Sequence, residues 1–453
     1  MEIILSSTIF LTGIFGILYY LSRQWQTSFT SFLFADRSLQ IGSAGLAISA
    51  HWFWAIAIFV GPAVAYNWGI IGLLWFAIPN ALSLIVVGYL TSRVRENYPD
   101  GFSLTAYMKE NFSKRIGVLF QLEFILISLA ALILAFTAVG KLWAFTQLAT
   151  IIEPVYASLA IGLVTLGFTL RGGIRTSIFT GAFQSILWLM FLGLTGVTIY
   201  NTDIAVLSLG KNELTVFFNE KFITTFAVAW FVTIIVGATS HGMMWQKAFS
   251  MPKENIMPSF TLGAVVFGII SFSLASLGMI AFANGYTVSA PDTAQMVTIS
   301  TLLGVSGLVA FATILLGQTS TVIDSSLNYI ASLISAEWLK SEKVITSRVI
   351  MTVFLLLAWT ISWAKLEIWT VLMLMGAVRI SMFLPLALHI LKFDLKEAAV
   401  FYSSIIAIAG TFYLAWIAKM DKLPIYDMYS VLYGLAIPIL SFILFTSFKR
   451  RKS

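Results

Sequence analysis

The sequence predicts an all-α membrane protein of about thirteen transmembrane helices, with ten of them forming two inverted repeats of five. Three observations carry this reading. Hydrophobic residues make up 59% of the 453 positions and charged residues only 10%. Apolar runs long enough to span a bilayer recur along the whole chain. Two of those runs are interrupted at mid-membrane depth, five spans apart.

A soluble chain of this length needs far more charge to cover its surface, so the surplus apolar surface faces lipid. About 20 apolar residues cross a hydrocarbon core of about 30 Å as a helix. Backbone groups in lipid must be satisfied internally, which leaves helices or closed barrels, and these runs are too long and continuous for barrel strands. There is no cysteine, so disulfides, thiol chemistry and cysteine metal sites are excluded. The net charge of +7 would suit an acidic partner. The Lys and Arg fall instead in alternate short loops and at the C-terminus, which is membrane topology rather than a nucleic-acid surface. The first run follows Glu2 rather than a basic start and has no small-residue cleavage pattern before Ser22-Arg23, so it reads as a retained helix.

The spans run 3–21, 40–66, 69–92, 116–146, 152–170, 173–200, 223–247, 258–285, 301–338, 344–364, 367–391, 397–418 and 426–448. One set of alternate loops, from Arg23 through Arg175, Lys247 and Lys396 to the tail Lys449-Arg450-Arg451-Lys452, holds twenty basic residues. The other set holds six: Lys141, Lys211, Lys221, Lys365, Lys419 and Lys422. The positive-inside rule then puts the C-terminus in the cytoplasm, and an odd count puts the N-terminus outside.

The interruptions are Ser49-Ala50-His51-Trp52-Phe53-Trp54, followed by Gly61-Pro62, and Ile235-Val236-Gly237-Ala238-Thr239-Ser240-His241-Gly242. Irregular backbone in a membrane is tolerated where it lines a cavity or is buried in protein, and it points to a binding site. Ordinary kinks between packed helices are the alternative, but the matched pair favours inverted repeats. The expected division is an N-terminal extra helix and cytoplasmic loop over 1–39, repeats over 40–222 and 223–392, and two further helices with a basic tail over 393–453.

Several motifs carry a family resemblance. They are Ser49-Ala50-His51-Trp52-Phe53-Trp54-Ala55, Val64-Ala65-Tyr66-Asn67-Trp68-Gly69 and Gly72-Leu73-Leu74-Trp75-Phe76-Ala77. Further along come Gly172-Gly173-Ile174-Arg175 with Phe179-Thr180-Gly181 and Gln184, then Trp245-Gln246-Lys247-Ala248, and Thr319-Ser320-Thr321. In order and spacing, over roughly residues 30–390, these resemble the sodium:solute symporter family, specifically its urea-active-transporter branch. The resemblance implies a LeuT-type fold with one extra helix before the core and two after it. It also implies alternating-access symport of a small polar organic solute, driven by sodium. Carried over, the sodium ligands would be the carbonyls of Ala50, Phe53 and Gln318 and the hydroxyl of Thr321, with Ser320 as the alternative. Oxygen ligands without full charge suit this hard cation.

Three departures from the family pattern involve four positions. A usual second hydroxyl position is Val322, and many members carry Asp where this chain has Gly181, which puts a second sodium in doubt. Asp324 and Arg379 lie deep in apolar sequence, where charge is costly and faces the bundle interior. They are coupling candidates, with Arg379 replacing sodium or Asp324 carrying a proton; a structural ion pair, including one between the two, is the alternative. Glu123 and Lys141 are assigned structural roles.

The interruptions gather His51, Trp52, Trp54, His241 and Trp245 as candidate substrate contacts. Flat aromatic faces and neutral imidazoles suit a small planar polar solute, such as a urea-like compound, an amide or an amine. Interfacial anchoring is the alternative for the tryptophans. With no cysteine and no i, i+4 acidic or histidine partner, the histidines do not read as metal ligands. Paired carboxylates, nucleophile–base spacing and a nucleotide-binding loop are lacking, so an enzyme or an ATP-driven pump is not expected. A membrane sensor is the competing class; the chain ends at Ser453, just after the last helix, so a sensor of this kind would need a separate partner. The expected setting is the plasma (inner) membrane, with lipid and a small molecule as partners and neither nucleic acid nor an obligatory protein inferred.

Overall fold

The computed structural model describes residues 2–21, 28–99, 101, 103–202, 204–205, 219–364, 367–421 and 425–445; Arg23, Lys211, Lys365, Lys422 and the basic tail 449–452 lie outside them. Every regular element among the described residues is helical, and nine continuous helices are long and apolar enough to cross a membrane.

Several of these runs are longer than one crossing. Pro154–Tyr200 is 47 residues long, about 70 Å at 1.5 Å per residue. It divides at Gly173, whose φ of +56° and ψ of −137° no helix contains. A side chain there would also strike the carbonyl of Phe32, so only glycine serves. Gly69 and Gly304 break two other long runs in the same way.

With these divisions the membrane helices are α1 (Glu2–Leu21), α2 (Ile41–Trp52), α3 (56–68), α4 (70–97), α5 (Lys114–Phe145), α6 (154–172) and α7 (174–200). They continue with α8 (220–235), α9 (Gly242–Phe249), α10 (Lys253–Ala283), α11 (305–333), α12 (Val344–Ser362), α13 (Ile368–Ile390), α14 (Glu397–Met420) and α15 (Ile425–Phe445). Counting α2–α3 and α8–α9 as interrupted single passes gives the thirteen crossings the hydropathy predicts.

The interrupted helices sit inside the bundle. Every residue from Ala47 to Phe59 is buried, as is every one from Val236 to Met251. Helix α10 packs along α4 and α2, closely enough that a β-carbon on Gly263 would lie 2.8 Å from Ile48 Cγ2. Small residues allow such approach where lipid supplies no hydrophobic drive between helices. Met190, Leu194 and Val197 form an exposed apolar stripe on α7 at helical spacing, the expected lipid face.

Loops of the basic set interlock at one end of the bundle. Arg37 donates to the carbonyls of Pro99 and Gly101 at 2.8 Å, Arg175 reaches Asp36 at 3.0 Å, and Arg348 donates to Leu170 O at 2.7 Å.

Candidate functional site

Helix α2 ends at Phe53, with φ −89° and ψ 84°, and its N–H bonds Ser49 O and Ala50 O at 3.0 and 3.1 Å. The chain resumes as a π-helical turn at Ile56–Val60, just before Pro62, which lacks the N–H a continuous ladder needs. The second interruption is a 3-10 turn, Gly237–Ser240, closed by His241 in extended geometry. Its freed groups find partners. Ala238 N–H donates to Ser83 Oγ at 2.9 Å, Ser240 Oγ to Gly237 O at 2.8 Å, and Trp245 Nε1 to Thr239 O at 2.7 Å. These bonds meet part of the need that irregular backbone creates when buried at membrane depth.

The two breaks meet in one aromatic cluster. Trp52 and Trp54 stand edge-on to the His241 ring, with centroids 5.2 and 5.3 Å away. Arg379 of α13 reaches into it, with Nη2 3.0 Å from His241 Nε2 and its guanidinium carbon 5.8 Å from the Trp54 ring centre. Trp52 is held from α4 by its indole N–H, 3.2 Å from Asn80 O. All four side chains are buried.

His51 and Trp245 lie elsewhere. Trp245 borders a cavity of about 10 Å³ with Phe34, Tyr329 and Glu337. His51 turns toward α7 and α11, where Nε2 lies 3.0 Å from Ser177 Oγ and 3.7 Å from Asp324 Oδ1, while Nδ1 bonds Ala47 O. Around Asp324, Thr180 donates to Oδ2 at 2.7 Å and Ser325 to Oδ1 at 3.1 Å. Ser177 and Ser325 hydroxyls are 2.7 Å apart. Lys247 is buried on α9, directly after the second break. Asp324 and Arg379 therefore belong to separate clusters and do not pair.

The expected sodium ligands converge, but not as a cation cage. The Gln318 side chain, rather than its backbone carbonyl, fills the position, with Nε2 donating to Ala50 O at 2.6 Å and Phe53 O at 2.5 Å. Ser320 and Thr321 hydroxyls bond back to Leu316 O and Gly317 O at 3.3 Å. The amide nitrogen stands between both carbonyls where a cation would sit, so these residues fit sodium only if the Gln318 side chain moves away. Gly181 packs under the His51 ring: a β-carbon there would lie 2.6 Å from His51 Cε1. Glu123 accepts from Ser381 Oγ at 2.9 Å, and Lys141 pairs with Asp292 at the end opposite the basic loops.

In the sequence Lys247 reads as a loop cation and Gln318 as a backbone ligand, and nothing singles out Ser177. The signal available was the Trp-Gln-Lys-Ala stretch, where a lysine follows a helix break by only six residues.

No protein-family model matches the chain. The fold resembles that of a Na+-coupled sialic acid symporter in a substrate-bound outward-open state, at TM-score 0.70 and 17% identity over 99% of both chains. It also resembles Mhp1, a nucleobase-cation-symport-1 family transporter in a closed conformation with bromovinylhydantoin bound, at TM-score 0.52 and 15% identity over 92% of this chain and 95% of that one. In sequence the chain is 22% identical over 337 residues to the urea-proton symporter DUR3 of Oryza sativa subsp. japonica, covering 66% of this chain. The match spans about half of that relative, 46% of its length. The class this defines is a multi-pass membrane protein of the LeuT-type fold.

Proposed function

We propose that the chain is a secondary active transporter that carries a small polar organic solute across the plasma (inner) membrane by alternating access. In this reading it is similar to the sodium:solute symporter family and its urea branch, with the N-terminus outside. The meeting of both helix breaks at Trp52, Trp54, His241 and Arg379 carries the proposal. It places bendable backbone, polar donors and flat apolar walls at one buried point, where two repeats rocking against each other would alternately expose a solute. Trp245 is tied to the second break only through its bond to Thr239 O, and His51 belongs to the Asp324 cluster.

The coupling ion has two readings. Sodium would use the carbonyls of Ala50, Phe53 and Gln318 with Thr321 or Ser320, and requires the Gln318 amide to leave. The geometry favours a proton. Gln318 already satisfies the carbonyls, and His51 fills the space over Gly181. Asp324 is then the carboxyl that takes and releases the proton, faced by His51, Thr180 and Ser325, with Ser177 bridging His51 and Ser325.

Uptake of labelled solute into proteoliposomes, with and without sodium and at several pH values, tests both readings. Accumulation driven by an inward proton gradient in sodium-free buffer is expected. Strict sodium dependence would return the coupling to the carbonyl site. No gradient-driven accumulation of any urea-like compound, amide or small acid would remove the transporter reading.

A further inference from the structure

We propose that Arg379 anchors an oxyanion, so that the solute held at the helix breaks is a small carboxylate with a compact or planar apolar body. The proposal rests on the reading above that this point binds the transported solute, and it narrows that reading.

Arg379 is 0% exposed. A guanidinium has five N–H donors and no acceptor, so its contact with His241 fixes that ring as acceptor at Nε2, with its own proton on Nδ1. Nε and Nη1 have no partner. Those two nitrogens leave one and two N–H groups unmet.

No carboxylate lies within 4.0 Å of the guanidinium among the described residues. The buried carboxylates Asp324 and Glu123 each have another partner. Asp324 takes Thr180 and Ser325, and Glu123 takes Ser381. A buried cation without a counter-charge is strongly unfavourable, more so at membrane depth, and an anion with acceptor oxygens relieves both the charge and the open donors.

The surroundings select what that anion is attached to. Nη1 faces the second break, since a β-carbon on Gly237 would lie 3.4 Å from it and 3.0 Å from Trp52 Cη2. A glycine there keeps both the donor and the indole edge unobstructed. Trp52 and Trp54 supply apolar walls for a short hydrocarbon or a ring. An organic cation is disfavoured because Arg379 already sits over the Trp54 ring, taking the aromatic face an amine would need and repelling it. A neutral urea or amide offers a carbonyl oxygen but leaves the charge uncompensated.

The test uses the purified full chain and matched probes: propionate, propionamide and propylamine; benzoate, benzamide and benzylamine; and urea. Thermal unfolding and intrinsic tryptophan fluorescence report saturable binding. At least one carboxylate is expected to bind roughly tenfold or more tightly than its own amide, the scale of a hydrogen bond to a charged group. The amines are expected to give no shift. Arg379→Gln should weaken the carboxylate by a similar factor and bring the carboxylate-to-amide ratio down toward one. If that variant does not fold, the carboxylate-to-amide ratio of the unaltered protein decides.

Equal or tighter binding of an amide, urea or amine, no shift with either carboxylate, or unaltered carboxylate affinity in Arg379→Gln would each overturn the proposal. Uptake separates the two ideas. Concentrative uptake of benzamide but not benzoate removes the anchor and keeps the transporter. Saturable carboxylate binding with no uptake of any probe does the reverse.

Discussion

The imidazole of His51 lies against Gly181 so closely that a β-carbon at 181 would stand 2.6 Å from Cε1 and 3.0 Å from Nδ1. Two residues 130 positions apart thus share one volume: the side chain absent from α7 is the space that α2 uses. Adding a methyl group as Gly181→Ala should cost about 1–3 kcal/mol, the usual scale of overpacking. Replacing His51 with Ala in the same chain should return part of that loss, because contacting residues couple. Thermal unfolding of the single and double variants reads this out. Strict additivity would mean the ring and the glycine do not share that volume.

Gln318 bridges the end of α2 from α11, and its two amide hydrogens meet Ala50 O and Phe53 O. Gln318→Ala leaves Phe53 O without this partner and Ala50 O with only the Phe53 N–H, at roughly 1–3 kcal/mol for a buried group so orphaned. A small cation is then the natural replacement. Unfolding temperature is expected to fall in choline chloride and to recover when sodium chloride is substituted, while the unaltered chain shows no such sodium effect. Equal behaviour of the two proteins in both salts would remove the amide-for-cation exchange.

Asp324 is held by Thr180, Ser325 and His51 on three sides. If it carries the coupling proton, Asp324→Asn keeps the shape and most hydrogen bonds but removes the titration. Accumulation driven by a pH gradient should drop at least about tenfold, while exchange of labelled for unlabelled solute at equal pH persists. Loss of exchange together with accumulation would instead mark the residue as structural.

Hydropathy made the bundle legible because lipid imposes a long, uniform apolar run on each crossing. The interruptions were legible for a similar reason: Gly61-Pro62 and Gly237 through Gly242 stand out against such runs. Side-chain direction was not. In α11 every residue from Leu315 to Leu333 is buried, so no apolar face separates Gln318, Thr321 and Asp324 by burial. Trp245 follows the second break closely in sequence, yet one helical turn carries it to the basic end beside Tyr329. Asp324 and Arg379 are the two conspicuous charges of the later helices. Sequence cannot show that each faces a different break partner, His51 for one and His241 for the other.

Gly173 tests the division of the 47-residue helical run Pro154–Tyr200. With φ at +56° and Phe32 O only 2.2 Å from where a β-carbon would be, Gly173→Ala adds left-handed strain of about 1–2 kcal/mol to a backbone collision. Poor recovery of monodisperse protein is expected. Gly13→Ala, which meets nothing within 4 Å on α1, should recover normally. Size-exclusion profiles of the two variants compare them, and matching profiles would mean the turn at 173 is not needed.

Lys141 and Asp292 join the end of α5 to the turn Pro291–Thr293, across a vestibule of about 480 Å³ that Phe59, Asn67, Glu367 and Trp369 also border. Both side chains are about a third exposed, so the pair should contribute little to stability, below about 1 kcal/mol. Its consequence is access. The chain contains no cysteine, so Asn67→Cys gives a single reporter in the vestibule without background. An impermeant thiol reagent should label it from the external face, and Lys141→Ala should raise that rate several-fold while leaving the unfolding temperature nearly unchanged. Labelling only from the cytoplasmic face would invert the assigned topology, and an unaltered rate would show that the pair does not restrain the vestibule.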